Sequence, residues 1–448
     1  MALTGLQIFK MLPKTNCGEC GFPTCMAFAM KLAARQAELD KCPYVSDEAR
    51  QNLSEASAPP IRKITIGVGD DAFIIGEETV MFRHEKTFVH PPGLGILLAD
   101  TLDEKELAEQ AKKVDSVAFE RIEQILKPRV VAIKAASGDA QTFAAAVKKI
   151  GEVTKAALVL ISEDPTIMKA ALEVCGANKP LIYAANNDNF TEMAALAKEY
   201  ATALAVKAEG LEALVDLSDK VTALGIKDLV LDAGSRNGNQ HLQELTYIRR
   251  ASLKAKNKSL GFPIITFPAE ATDDPDAEMA LAGLEIMRYA GIIILNDLDP
   301  ARVLPLMVLL QNIYTDPQKP MQMSEGIYQI GDPKEDSPVL VTTNFSLTYF
   351  IVSGEIESSR VSSWLCVMDV EGLSVLTAWA AGKFIPEKIA QFIKKSDIST
   401  KVKHRHLVLP GYVAQISGEL DEELPEWSIS VGPREAGDLT HYLKEWSA

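Results

Sequence analysis

Past its first 42 residues the 448-residue chain has almost no cysteine; Cys175 and Cys366 are alone in the other nine tenths. A fold stapled by disulfides is thereby excluded. Aromatic residues make up only 6%, so the cores have to be built from the Ala, Leu, Ile and Val within the 47% apolar fraction. Cationic excess is missing too: the net charge is −15. That argues against nucleic acid as a partner, because phosphate binding needs Lys and Arg gathered on one face. No apolar run reaches the roughly 18 residues that a membrane span requires. The longest candidates, such as Gly291 to Asn296, are strand-sized. The N-terminus has no charged region followed by an apolar core, since Lys10 and Lys14 interrupt its first apolar stretch. The expected setting is therefore the cytoplasm. Phosphate-cradling loops are absent as well, for Gly67-Val-Gly-Asp70 and Gly234-Ser-Arg-Asn-Gly238 lack the rest of any fingerprint.

What the chain does have is a cysteine-dense opening. Cys17-Gly-Glu-Cys20-Gly-Phe-Pro-Thr-Cys25 is completed by Cys42 in Lys41-Cys42-Pro43. Four thiolates in one small lobe suit an iron–sulfur cluster or a structural zinc, both of which take soft, deprotonated ligands. The spacing lets three sulfurs come from one tight loop while a helix returns the fourth. Gly18, Gly21 and Pro23 supply the turns. Zinc sites usually show two Cys-x-x-Cys knuckles, and here there is one. A 4Fe–4S cluster is the expectation, with zinc or a disulfide pair as alternatives. Cys175 and Cys366 read as buried structural thiols.

Two breaks divide the chain. Ser54 to Pro60 cannot continue a helix, and Tyr314 to Pro338 is rich in Pro, Gly and charge. They delimit lobes of 1–57, 58–320 and 321–448. The middle lobe repeats one unit, a short apolar strand followed by a helical pattern. Its strands are read at Gly95–Asp100, Val130–Lys134, Ala157–Ser162, Pro180–Ala184, Ala203–Lys207, Asp228–Asp232, Pro263–Phe267 and Ile292–Asn296. Continuous apolar runs mean strands buried on both faces, hence a parallel sheet. Eight in regular alternation favour a (β/α)8 barrel over an open doubly wound sheet. Ahead of it, Ile64 to Val89 reads as a β-rich lead-in, with β-branched and aromatic residues in Thr79–Arg83 and Thr87–Val89.

Asp100, Glu163, Asn186, Asp232, Asn296 and Asp297 fall at the barrel's strand ends, where barrel catalysis occurs. Helix caps and loop solvation call for the same residue types. No histidine joins them, so no catalytic residues are assigned.

The last lobe reads as a smaller α/β unit with strands at Pro338–Thr343, Ser363–Met368, His404–Leu409 and Trp427–Val431. Helices are expected over 344–350, 374–381 and 434–446. Ligands of such sheets lie outside the carboxyl ends of the strands. The residues there are Thr342, Thr343, Asn344, Phe345, Ser346 and Thr348, then Val370, Glu371, Gly372, Leu373 and Ser374, then Gly411 and Tyr412, then Gly432, Pro433 and Arg434. Most are small, hydroxylated or glycine-bearing, which lets a large flat ligand approach the backbone.

The cysteine opening, the barrel-like middle, Val341-Thr-Thr-Asn-Phe-Ser346 and Asp369-Val-Glu-Gly-Leu-Ser374 together resemble the large subunit of the corrinoid iron–sulfur protein of the anaerobic acetyl-CoA (Wood–Ljungdahl) pathway. The resemblance covers the whole chain. It implies a 4Fe–4S cluster on Cys17, Cys20, Cys25 and Cys42, a TIM barrel, and a Rossmann- or flavodoxin-like C-terminal domain holding a cobamide at the loops just named. It implies a heterodimer with a small subunit. It also implies a carrier rather than an enzyme: cobalt as Co(I) takes a methyl group from methyltetrahydrofolate through a separate methyltransferase. The carrier then delivers it as methyl-Co(III) to the nickel site of CO dehydrogenase/acetyl-CoA synthase, and the cluster returns oxidised Co(II) to Co(I). None of the six histidines (His84, His90, His241, His404, His406, His441) sits in the Asp-x-His-x-x-Gly loop that places an imidazole under cobalt, so a base-off corrinoid without a histidine ligand is expected. Two rival classes stay open: a methyltransferase with its own pterin site in the barrel, and a cluster-only electron-transfer protein.

Overall fold

The computed structural model describes residues 4–34, 36–46, 49–50, 53 and 59–446. Of the break expected at Ser54–Pro60, residues 54–58 lie outside the described residues. Contacts divide the chain into two units, 1–118 with 127–314, and 119–126 with 315–448.

The first unit opens with helices α1 (Gly5–Met11) and α2 (Cys25–Ala33). Thr4 and Gln7 form a reciprocal capping box on α1, and the Thr24 hydroxyl caps α2 by accepting from Ala27 N. Ile8, Leu12, Phe28, Ala29 and Val45 bury one small core between them.

An antiparallel pair follows, β1 (Ile64–Ile66) and β2 (Phe73–Ile75). The rest of the segment expected to be β-rich, including Thr79–Arg83 and Thr87–Val89, is loop instead. There the Glu85 carboxylate accepts from Met81 N and Phe82 N, and Glu78 accepts from Val89 N. Side-chain acceptors thus satisfy backbone donors that a ladder would otherwise have used.

Eight parallel strands then form one sheet: β3 (Gly93–Ala99) and, after the excursion β4 (Phe119–Arg121) and β5 (Gln124–Leu126), β6 (Val130–Lys134), β7 (Ala157–Ile161), β8 (Leu181–Ala185), β9 (Ala203–Lys207), β10 (Leu229–Asp232), β11 (Ile265–Thr266) and β12 (Ile292–Leu295). The order is β10-β9-β8-β7-β6-β3-β12-β11, and a parallel bridge from Leu231 to Ile264 brings the two edges together. This is the near-closed barrel expected from the apolar runs. Ile64, Ile66, Phe73 and Ile75 pack with the strand starts Val130, Ala157, Leu181 and Ala203, so the β1–β2 pair stoppers the amino end. Gly93 makes room for it: a Cβ there would sit 2.6 Å from the Phe73 ring. Asp103, Asp139, Asp164 and Asn237 cap the following helices through their side chains, each worth about 1 kcal/mol.

The second unit is a five-stranded sheet of β13 (Gly326–Ile330), β14 (Val339–Thr343), β15 (Ser363–Met368), β16 (His406–Leu409) and β17 (Ser428–Val431). Its order is β13-β15-β14-β16-β17, with β13 antiparallel and the rest parallel. Alternate side chains feed two cores: Val339, Val341, Trp364 and Cys366 one, Leu340, Leu365 and Val367 the other. The four parallel strands run 2-1-3-4, so the winding reverses between β14 and β16.

Four sequence expectations need correction here. The Pro-rich break between Tyr314 and Pro338 contains the ladder strand β13. The helix expected over 344–350 spans Ser346–Ser359, and the last helix is only Leu439–Glu445. The hairpin β4–β5, which leaves the barrel's first repeat, belongs to this second unit. Its Ile122 joins the core of Leu340, Leu365 and Val367. The Glu123 carboxylate accepts from Ser324 N, the Ser324 hydroxyl and the Tyr328 hydroxyl.

Candidate functional site

The cysteine loop is shaped by left-handed backbone at Asn16, Gly18 and Gly21. Gly21 N donates to Gly18 O at 2.9 Å, and the Asn16 side chain accepts from Cys25 N at 2.8 Å, pinning loop to helix. Cys25 and Cys42 are buried in the small core, Cys20 is half-buried and Cys17 is exposed. The Tyr44 hydroxyl donates to Glu19 at 2.8 Å. Its pKa is raised above the usual range by that bond and the Glu19 charge, then by slight desolvation and by the nearby Cys17 and Cys42. Among the described residues no group of three or more His, Cys, Asp or Glu side chains is gathered as a metal site. The four sulfurs share one lobe and the donor set suits a soft metal.

At the carboxyl ends of β14 and β16, where the winding reverses, lies a cavity of about 380 Å³. Of the residues read from the sequence, Thr342, Thr348, Ser374, Tyr412, Gly432, Pro433 and Arg434 line it. Thr342 is 2% exposed and its hydroxyl has no partner, as is also true of the neighbouring Thr343. A buried hydroxyl without a bond costs about 1–3 kcal/mol, which makes Thr342 a donor in want of an acceptor. Gly411 lies against the far wall: a Cβ on it would sit 2.5 Å from Gly432 O and 2.7 Å from Arg434 N. The Tyr412 hydroxyl bonds the Glu435 carboxylate across this wall.

The other sequence candidates support the walls rather than line them. Asn344 accepts from Val370 N at 3.1 Å and Gly372 N at 3.0 Å, and donates to Asp369 at 2.9 Å. It ties the end of β14 to the loop after β15. Glu371 and Gly372 turn that loop through positive φ, with Glu371 paired to Lys383. Val370 and Leu373 pack into the core, Ser346 N donates to Met321 O, and Phe345 precedes the helix. Sequence reading missed Ile351, Val352, Leu376, Ala436 and Leu439, which form much of the apolar lining. The spacing of Thr348, Ile351 and Val352 on one helical face was the available signal. Ile351, Leu376 and Tyr412 remain 43–48% exposed, so the cavity opens onto an apolar rim. Histidine is not among the lining residues. His404 accepts from His406 N and its other ring nitrogen bonds Ser337 O, at the amino end of β16.

At the barrel mouth every strand-end polar residue is bonded within the protein. Asp100 accepts from Ser137, Glu163 holds Lys207 and Asn186, Asn296 N donates to Glu278, and Asp297 pairs with Lys113. Asp232 is wholly buried and holds Arg236 through both oxygens at 3.0 and 3.1 Å. Burial pushes its carboxyl up, but the bonds and charge of Arg236 outweigh that and hold it below the ordinary carboxylate range.

The family model described as CO dehydrogenase/acetyl-CoA synthase delta subunit matches residues 63–443. A second, whose description names an Fe-S cluster, matches residues 12–44. The corrinoid/iron-sulfur protein large subunit of Moorella thermoacetica is 45% identical over 444 residues, covering 99% of each chain. The acetyl-CoA decarbonylase/synthase complex subunit gamma of Methanopyrus kandleri is 37% identical over 99% of this chain and 98% of its own. That of Methanothermobacter thermautotrophicus is 36% identical over 99% of both. No helix among the described residues is long and apolar enough to cross a membrane. With such identities sustained from end to end, the chain belongs to the family of corrinoid/iron-sulfur protein large subunits and acetyl-CoA decarbonylase/synthase gamma subunits.

Proposed function

We propose that this chain is a methyl carrier of the acetyl-CoA pathway, with a cobamide at the switch-point cavity of residues 321–448, a 4Fe–4S cluster on Cys17, Cys20, Cys25 and Cys42 in residues 1–57, and the barrel of 58–320 between them in sequence. Bound there, the cobamide supplies a cobalt nucleophile for a methyl group that a separate methyltransferase takes from methyltetrahydrofolate and that CO dehydrogenase/acetyl-CoA synthase receives. The partners are those enzymes and a small subunit.

The observation that carries this reading is the cavity at the winding reversal, apolar on most sides, with Thr342, whose buried hydroxyl has no partner, among its lining residues. Ile351, Val352, Leu376 and Leu439 give apolar area for a flat ring system. Thr342, Thr348 and Ser374 offer hydroxyls for its amide periphery. Gly411 and Gly432 let the wall segments pack closely on one another, since a Cβ on either would meet the neighbouring wall at 2.5 or 2.9 Å. Asn344 holds two of the wall loops together. With His404 and His406 at the opposite end of β16, this chain offers the bound group no imidazole from its own lining, which fits a base-off corrinoid. The four thiols of the N-terminal lobe match the donor set of a cluster that supplies electrons.

Ultraviolet–visible spectra of the protein purified anaerobically with its small subunit test this directly. Corrinoid and cluster absorbance should appear together, and the corrinoid bands should shift on reduction and again on methylation. Cluster absorbance with no corrinoid after growth on a cobamide supply would overturn the reading in favour of an electron-transfer protein.

A further inference from the structure

We propose that the mouth of the barrel is a binding site for a flat ligand with an amidine-type N–C–N edge, and that Arg236 occupies it as a tethered stand-in. The guanidinium makes the contacts such a ligand would make. Its two terminal nitrogens donate side by side to the two oxygens of Asp232, at 3.1 and 3.0 Å. The Tyr183 hydroxyl completes the pocket, 2.5 Å from one Asp232 oxygen and 3.2 Å from the guanidinium. The Phe267 ring lies under the cation, 5.0 Å from centroid to guanidinium carbon. A forked donor on a buried carboxylate over an aromatic face is the recognition geometry for planar amidines.

The receptor and its occupant differ in how they are built. Asp232 and Tyr183 are fixed on β10 and β8, and Phe267 directly follows β11; all three are at most 4% exposed. Arg236 instead rides the loop after β10, with its side chain 21% exposed. That loop leaves the strand through Gly234, whose left-handed backbone passes 3.0 Å, measured from a notional Cβ, from Ala208 O. The arm rides a loop, so it can leave without breaking any strand, and the partly exposed Glu270 is already bonded to its Nε at 2.9 Å. Because Asp232 is held ionised, the site rejects anions and takes cations or neutral groups with two parallel N–H donors. This is the strand-end face where barrels bind their ligands. Neither the cobamide cavity nor the cysteine loop involves any of these residues, so the inference does not depend on the methyl-carrier reading.

The test uses benzamidine as probe and benzylamine, a cation without the fork, as control, on the full chain in its complex. In the Arg236→Ala variant benzamidine should bind at least about tenfold more tightly than in the wild type, since a site filled by its own arm loses apparent affinity in proportion to its occupancy. It should also restore the melting temperature that the substitution lowers, while benzylamine does neither. Should the variant not fold, hydrogen exchange of the wild type decides: benzamidine should saturably raise exchange at residues 233–237, and benzylamine should not. Equal effects of the two probes, or no effect of benzamidine in either experiment, would overturn the proposal and leave the Asp232–Arg236 pair as a structural brace.

Discussion

Gly411 shows how closely the proposed cobamide site depends on single atoms. A methyl group there would stand 2.5 Å from Gly432 O and 2.7 Å from Arg434 N, both backbone, so two loops would have to part. Gly411→Ala is expected to cut corrinoid content several-fold at a folding cost of about 1–3 kcal/mol, read as corrinoid absorbance per chain alongside circular dichroism. Full corrinoid content would show that the ligand does not use this wall. Cysteine substitutions address the other cofactor. Cys20→Ala or Cys42→Ala should lose the cluster's iron yet leave the corrinoid able to accept methyl once another reductant has prepared it. Failure of methylation under those conditions would give the cluster a role beyond reduction. At this scale the sequence speaks most plainly where a rare residue recurs at a fixed spacing, and Cys20, Cys25 and Cys42 do come to one small core. It was ambiguous where only polarity was visible. Asn344 and Thr342 lie two residues apart, yet one ties loops together and the other lines the cavity; side chains two apart share a strand face, so the pleat does not separate them, and the difference is that β14 ends at Thr343, between them.

Among elements, the barrel strands were readable because burial on both faces leaves nearly unbroken apolar runs, as in Val130–Ile133. The hairpin β4–β5 was not, since half of its six strand residues are polar and its partners are some 200 residues away in sequence. Replacing 119–126 by a flexible linker should destabilise the second unit through loss of Ile122 from its core and of the Glu123 bonds, by roughly 2–5 kcal/mol. Hydrogen exchange should then rise in β13 and β15 while the barrel strands stay protected; unchanged exchange in β13 would contradict the assignment. The barrel-mouth network has a defined pH dependence. Asp232 and Glu270 both have carboxyls held below their ordinary range: burial alone would raise them, and the bonds and charge of Arg236 prevail, with Lys134 assisting at Glu270. The unfolded chain therefore binds more protons than the folded one in the acid range. The stabilisation is fully present above the ordinary carboxylate pKa of about 4 and is lost as pH falls through the lower folded values. Asp232→Asn should cost about 3–5 kcal/mol at neutral pH and flatten the acid limb of a melting-temperature profile. An unchanged acid limb would show that Asp232 does not titrate in this way.

At the scale of the whole molecule, the chain passes from one unit to the other three times, at 118/119, 126/127 and 314/315. The break read at Tyr314–Pro338 thus carries one of the three crossings. The composition of 314–338 concealed β13 because Gly and Pro flank a strand of only five residues. Methyl transfer needs reacting atoms at about 3–3.5 Å in line, and the proposed cobalt has several partners to meet at that distance. The central claim is that this chain carries the methyl group and does not turn it over. Its most direct test is transfer of isotopically labelled methyl from methyltetrahydrofolate to the reduced, corrinoid-loaded protein with its small subunit. The account predicts label on the protein in proportion to its corrinoid only when the methyltransferase is added, and release of that label when acetyl-CoA synthase follows. Demethylation of the folate by this protein without the methyltransferase, or no label on a corrinoid shown to be reduced with the methyltransferase present, would contradict it.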